Sequence, residues 1–305
     1  MKKFRATIFT AVVLILITLA VYLFPELKPV LFPEPAAAFI EVPEVTGELA
    51  VHYIDVGQAD CTLLECGGKT MLIDGGNVDD SSLVVSYLKS QGIGHLDYVV
   101  CTHAHEDHAG GLSGPLNTCT VGQVFAPVTE YDSVPFEYFL KYTAGQGLEV
   151  TVPEADSSFL LGEARVIVLG PRKTYEEPND TSIVLRVDHG ENSFLFTGDM
   201  EATAEDDLLA DQCELNVDVL KVGHHGSNTS SSYVFLREVM PRYGVISCGT
   251  DNSYGHPHEE VTSRLYDAGV TVYRTDEQGT VVARSDGKTI SFLTEKDVPP
   301  TEGHG

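Results

Sequence analysis

The stretch "THAHEDHAGG", Thr102 to Gly111, packs three histidines and two acids into the six consecutive positions 103–108. It follows "LDYVVC", Leu96 to Cys101, an apolar run that reads as a β-strand. Side chains two apart on a strand share a face, so His103 and His105 project to the same side. Asp107 and His108 then fall in the next tight turn or at the start of a helix, and Gly110 and Gly111 let another backbone come close. Neutral imidazoles with a carboxylate suit Zn²⁺, Mn²⁺ or iron better than Ca²⁺ or Mg²⁺. The cluster is therefore a candidate metal site.

Working outward, the chain reads as strands and a hairpin first, then strands alternating with helices. "ELAVHYIDVG", "CTLLEC" and "TMLIDGG" are strand-like, and "SSLVVSYLKSQG" has a Ser cap, helical spacing and a Gly stop. Beyond the cluster come the strand "VGQVFAPV", the helix "VPFEYFLKYTAGQG" and the strand "EARVIVLGP". "TSIVLRVDHG" and "NSFLFTGD" form a hairpin turned by "HGEN". "EATAEDDLLAD", "SSYVFLREVM" and "PHEEVTSRLYDAG" read as helices, alternating with the strands "VDVLKVG" and "YGVISCG". The final "TVYRTDEQGTVVARSDGKTISFL" supplies at least two more strands. Strands bracketed by helices in each half predict an α/β fold of two mixed sheets with helices outside, one domain in four layers.

Composition bounds the partners. Of 305 residues, 45 are Asp or Glu and 19 are Lys or Arg, a net charge of −26. Such a surface repels polyphosphate at long range, which argues against a simple nucleic-acid-coating protein. It leaves open a phosphodiester gripped by cations inside a pocket. Lys2, Lys3 and Arg5 precede the uncharged apolar run "ATIFTAVVLILITLAVYLF" that ends at Phe24. A run this long predicts a membrane-spanning helix over residues 1–25 with the remainder outside the cytoplasm. A cleaved signal segment, with "PAAAF" offering small residues to a peptidase, is the competing reading. A Pro-rich tether follows over 26–46, then the domain over 47–296 and a loose tail over 297–305. Six scattered cysteines without CxxC spacing read as buried free thiols. Nothing in the sequence fixes an oligomeric state.

Three later stretches carry chemistry. Asp199 ends the apolar strand "FLFTGD" in a Gly-containing turn, where an acid caps a strand or binds a cation. In "GHHGS", His224 or His225 is placed either to bind metal or to donate a hydrogen bond to a substrate. "YGHPHEE" offers His256 and His258 just before a helix. His52, His95, His189 and His304 carry no motif.

The cluster "THAHEDHAGG" resembles the HxHxDH signature of metallo-β-lactamase-fold hydrolases. "YIDVGQAD", "TMLIDGG", "FLFTGDM", "DVLKVGHHGS" and "YGHPHEE" follow the order seen in the hydrolase domain of the ComEC competence family, a resemblance covering about Leu49 to Leu293. It implies an αββα sandwich that binds two divalent ions, Zn²⁺ or Mn²⁺, and hydrolyses a phosphodiester or related ester, with DNA among the candidate substrates. It implies His103 and His105 on a first ion, Asp107 and His108 on a second, Asp199 between them and His256 completing the second site. Asp107 would also orient the nucleophile, a hydroxide activated by the ion pair, and His224, His225 and Ser227 would hold the phosphate or the departing oxyanion. Many family members carry another histidine between the first cluster and the bridging Asp. Here that stretch reads "EEPNDTSIVL", so Asn179 or Asp180 is expected in its place. The family's "GQGD" reads "GQAD" here, with Ala59 for Gly. The alternatives are a hydrolase of an envelope or small-molecule ester, and a non-catalytic module of the same fold.

Overall fold

A computed structural model of the chain describes residues 45–304. The first sheet begins with β1 (Leu49–Tyr53), β2 (Thr62–Cys66), β3 (Lys69–Ile73), β4 (His95–Val100), β5 (Thr120–Phe125) and β6 (Val150–Thr151). The second holds β7 (Ser158–Leu161), β8 (Ala164–Gly170), β9 (Val184–His189), β10 (Asn192–Phe196), β11 (Val219–Lys221), β12 (Tyr243–Ile246) and β13 (Thr271–Arg274). The chain then returns to the first sheet as β14 (Val281–Ser285) and β15 (Ile290–Thr294). The strand orders are β15-β14-β1-β2-β3-β4-β5-β6 and β13-β12-β11-β10-β9-β8-β7. In each sheet an antiparallel half meets a parallel one, with β3, β4, β5 and β6 parallel on one side and β10, β11, β12 and β13 on the other.

Four layers result because both faces of each sheet are covered. Along β1, β2 and β3 the residues Leu49, Val51, Tyr53, Leu64, Met71 and Ile73 turn inward and pack on Leu185, Val187, Phe194, Phe196 and Val219 of the other sheet. The alternate residues Leu63, Leu72, Leu96 and Val99 pack outward with α1 (Ser81–Ser90), α2 (Glu106–Ala109), α3 (Ser113–Thr118) and α4 (Val134–Gly145). On the far side Leu195, Leu220 and Ile246 pack with α5 (Ala202–Ala210), α6 (Tyr233–Val239) and α7 (Glu259–Asp267). Two-sided burial is why these strands read as continuous apolar runs rather than alternating ones.

The membrane-spanning or signal segment and the tether up to residue 44 lie outside the described residues. Among the described residues no helix is long and apolar enough to cross a membrane. The domain begins where Thr46 and Gly47 donate backbone N–H groups to the Glu163 carboxylate at 2.9 and 2.8 Å. The C-terminal run, expected to hold at least two strands, contains three, with α8 (Thr275–Gln278) between the first pair. Residues 297–304 are held rather than loose: Thr301 bridges Val272 on the outer edge of β13, and the His304 N–H donates to the Tyr266 carbonyl at 3.0 Å. An edge strand presents unpaired backbone groups, and this tail satisfies those of Val272. All six cysteines are free, and all but the half-buried Cys213 are buried.

One buried ion pair joins the two sheets. Lys221, at the end of β11, lies 2.8 Å from Asp60 in the loop before β2, with side chains only 2 % and 6 % exposed. Burial opposes charge on Asp60, and the Lys221 ammonium and His225 ring outweigh it, so its pKa lies below the ordinary Asp value. Removing one member of such a pair strands the other charge in the interior. Lys221→Met is expected to lower unfolding free energy by about 3–5 kcal/mol, measured by urea denaturation. A loss below about 1 kcal/mol, the worth of an exposed pair, would show that the ammonium is not holding the sheets together.

Candidate metal centre

The polar side chains of interest all leave the carboxyl ends of strands that run the same way. In the first sheet these are β1, leading to Asp60, β3, leading to Asp74, and β4, leading to His103, His105, Asp107 and His108. In the second they are β10, leading to Asp199, β11, leading to His224 and His225, and β12, leading to His256. Open α/β sheets bind ligands at this end.

A backbone ladder locks the loops of the first sheet together. Asp60 N–H donates to the Asp107 carbonyl at 3.1 Å, Gly76 N–H to Asp60 at 2.8 Å, Gly75 N–H to His108 at 2.8 Å and Gly111 N–H to Gly76 at 2.9 Å. A Cβ on Gly111 would coincide with the Gly75 carbonyl, so "DGG" and "AGG" interlock only because both lack side chains. Ala59, where the family pattern has Gly, is buried without a left-handed φ, whereas Gly57 takes φ 72°. The substitution is accommodated because the turn uses Gly57.

Asp107, His108, Asp199 and His225 bring one ligand atom each to within 4.8 Å of one another. Nε2 of His108 lies 3.2 Å from Asp199 Oδ1, and Nε2 of His225 lies 3.3 Å from Asp107 and 3.5 Å from Asp199. Ligands bonded at about 2.0–2.2 Å to one tetrahedral ion stand about 3.3 Å apart, so these spacings fit a shared ion. The tautomers fit as well. His108 Nδ1 lies 2.8 Å from the Asp74 carboxylate, and His225 Nδ1 lies 3.0 Å from the Ser247 carbonyl. Both acceptors demand a proton on Nδ1, which leaves each Nε2 with a lone pair. Those two nitrogens and Asp199 Oδ1 are buried without a hydrogen-bond partner. Lone pairs turned on carboxylates repel unless a positive charge lies between them.

The electrostatics point the same way. Burial opposes charge on the His108 ring, yet Asp199, Asp74 and Asp107 raise its pKa well above the ordinary His value. For His225 burial is outweighed in the same way by Asp199, Asp60 and Asp107. Burial would raise the Asp107 pKa, but the two rings lower it to about 2. Such a pocket holds a positive charge, whether a proton on a ring or a cation between the rings.

The remaining expected residues divide. His103 Nε2 and His105 Nδ1 converge at 3.1 Å, with His103 Nε2 3.9 Å from Asp199 Oδ2. Burial and the His108 ring hold His103 well below the ordinary His pKa and therefore neutral, as a ligand must be. His224 and His225 take consecutive left-handed backbone conformations, φ 49° and 52°. This strained turn aims His225 inward and leaves His224 Nε2 3.6 Å from Asp199 Oδ2, with His224 Nδ1 beside Glu201 and Thr229. His256 is not among the four clustered ligands. Its ring centroid lies 5.6 Å from that of His224 and 6.3 Å from that of His225, and burial with the neighbouring rings pushes its pKa down to about 4. Asp180, expected as a substitute ligand, accepts the Glu201 N–H at 3.0 Å at the start of α5 and is not brought to the cluster. Asn179 turns its amide to Glu201 at 3.2 Å. Ser227 is buried and turns its hydroxyl to Thr229 at 3.0 Å, within its own loop.

Asp74, Asp60 and Gln58 contact the rings of His108, His225 and His256, and motif reading passes over all three. Each sits in a quoted motif, "LIDGG" or "GQAD", yet only the fold reveals which ring it touches.

A profile of the metallo-beta-lactamase superfamily matches residues 54–250. ComE operon protein 3 of Bacillus subtilis (strain 168) is 28% identical over 269 residues, 82% of this chain and 35% of its own length. Competence protein ComA of Neisseria gonorrhoeae is 34% identical over 240 residues, 78% of this chain and 32% of its own. The chain thus spans about a third of the length of these curated relatives. Among solved structures, the metallo-beta-lactamase fold protein YhfI from Bacillus subtilis aligns with 79% of this chain and 100% of its own, at TM-score 0.54 and 15% identity, a likeness of fold alone. With its two-sheet sandwich, its ring of imidazoles and carboxylates at the strand ends, and that match over residues 54–250, the chain belongs to the metallo-beta-lactamase superfamily.

Proposed function

We propose that this chain is a metal-dependent phosphodiester hydrolase, with nucleic acid as its foremost substrate class. The observation that carries the reading is the convergence of the His108 and His225 lone pairs on the Asp107 and Asp199 carboxylates. Nucleic acid is favoured by the competence proteins among its relatives. The apolar segment before residue 25 would keep the domain on the outer face of a membrane.

Two ions, Zn²⁺ or Mn²⁺, suit the donors. Asp107, His108, Asp199 and His225 would hold one, and His103, His105 and the shared Asp199 the other. Ions bound there supply Lewis acidity and lower the pKa of water toward neutrality. Asp107, 30 % exposed and ionised at neutral pH, accepts a hydrogen bond from the attacking water and orients it. Asp74 fixes the His108 tautomer, and the Ser247 carbonyl fixes that of His225. His224, held through Nδ1 by Glu201 and Thr229, borders the substrate side of Asp199.

Hydrolysis of bis-p-nitrophenyl phosphate is expected with added Mn²⁺ or Zn²⁺ and is lost with chelator. The same assay extends to single- and double-stranded DNA. His108→Ala and Asp199→Ala are expected to reduce turnover to background while the far-ultraviolet circular dichroism is retained. Undiminished turnover in either variant, or none in the metal-loaded parent on any of these substrates, would sink the reading, and the latter would favour a non-catalytic module.

Asp74→Asn replaces a carboxylate acceptor by a weaker one without touching a ligand. It is expected to weaken metal binding about 10–100-fold, read by isothermal titration calorimetry. Unchanged affinity would mean that the Asp74–His108 contact does not tune the ligand.

A further inference from the structure

The loop that carries His256 is clamped on both sides. Asn252 Oδ1 accepts the His256 and Tyr254 N–H groups at 3.0 and 3.1 Å, and Asn252 Nδ2 donates to the His256 and Gly249 carbonyls at 2.6 and 2.9 Å. Gly249 presses against the Gly57–Gln58 backbone so closely that a Cβ would lie 2.7 Å from Gln58 N. This contact between loops of opposite sheets delivers the Gln58 side chain to the His256 ring.

The Gln58 amide cannot be turned either way at will. The Gly249 N–H, a donor only, points at Gln58 Oε1 at 3.1 Å, so the oxygen is fixed there. The amide nitrogen then faces His256 Nδ1 at 3.2 Å and donates to it. An Nδ1 that accepts a hydrogen bond carries a lone pair, so the proton of the neutral ring sits on Nε2. This is the reverse of His108 and His225, whose Nδ1 atoms face a carboxylate and a carbonyl and whose Nε2 lone pairs face the cluster. A ring with a protonated Nε2 cannot ligate an ion through that atom. Nε2 of His256 has no hydrogen-bond partner among the described residues, while the ring borders the cluster beside His224.

We infer that His256 is not a metal ligand but a neutral hydrogen-bond donor to an anionic phosphoryl oxygen of the substrate, with Gln58 the positioning residue that sets its tautomer. The inference rests on the phosphodiesterase reading for the substrate's chemistry, though not for the tautomer. No proton is transferred: the N–H bond stays intact and its dipole stabilises charge on oxygen, as preorganised donors do in oxyanion sites. A neutral imidazole donor also adds no charge to a centre already crowded with ionisable groups.

Three measurements on the metal-loaded chain test this. Long-range ¹H–¹⁵N spectra are expected to show His256 protonated at Nε2 and unprotonated at Nδ1. In Gln58→Glu the new carboxylate accepts from Nδ1, and the tautomer is expected to reverse. His256→Ala is expected to bind the same number of Mn²⁺ or Zn²⁺ ions as the parent. Its affinity for inorganic phosphate should fall about tenfold, and kcat on a phosphodiester about 10²–10³-fold. Loss of one ion in His256→Ala, a ligated or unprotonated Nε2 in the parent, or unaltered phosphate affinity would each overturn it. The ion count, the spectra and phosphate binding do not depend on turnover. A parent inactive on phosphodiesters therefore defeats the preceding reading and leaves these three readouts to decide this one.

Discussion

Two imidazole lone pairs aimed at the buried Asp199 carboxylate and the half-buried Asp107 carboxylate form the constraint on which the rest of this molecule depends. With both rings neutral the arrangement is repulsive, and the burial of His108, His225 and Asp199 makes it worse. A chain retains such an arrangement only when the surrounding structure overdetermines it. That is what the Asp74–His108 and Ser247–His225 contacts do, holding each ring by its outer nitrogen. Consecutive left-handed residues at His224 and His225 add backbone strain of order 1–3 kcal/mol each, which the buried sandwich beneath must supply.

The sandwich does this by assigning different tasks to its two sheets. The first delivers His103, His105, Asp107 and His108 on loops riveted by glycine contacts, where any side chain at Gly111 would collide with the neighbouring backbone. The second delivers Asp199, His224 and His225 on short turns after parallel strands. The halves meet at the Lys221–Asp60 pair and at the Gly249–Gln58 contact, both directly beneath or beside the cluster. A shift of one sheet relative to the other would therefore be felt first at the ligands.

How much of this was legible in the sequence follows from the range of the signals. The HxHxDH cluster is local: strand periodicity and a following turn place four ligand candidates within six residues, and the structure brings them to one strand end. The two-sheet order is equally readable, because buried strands leave apolar runs. Short β6 and β7, half-buried or exposed but for Leu161, leave no such trace. The division of labour proposed for His224, His225 and His256 is not readable, since it rests on a left-handed turn and on an amide on another sheet. Asp180 looked like a ligand because the sequence shows a carboxylate in the right interval but not that α5 consumes it as a backbone acceptor. The C-terminal tail looked free because a single bridge to Val272 requires no pattern of its own.

The acidic exterior bears on the proposed chemistry in a specific way. With −26 overall, the chain offers an anionic phosphodiester no attraction at a distance, so attraction must arise inside the cleft. There Asp74, Asp107, Asp199 and, beside His224, Glu201 bring four negative charges, while Asp60 is neutralised by Lys221. One divalent ion would leave that centre negative and unfavourable to a phosphodiester. A second would cancel the remaining charge and remove the repulsion of an anionic phosphodiester. On the reading proposed above, a full complement of ions is therefore a condition for binding substrate at all. A neutral donor at His256 is then the electrostatically economical partner, because it grips oxygen without disturbing that balance.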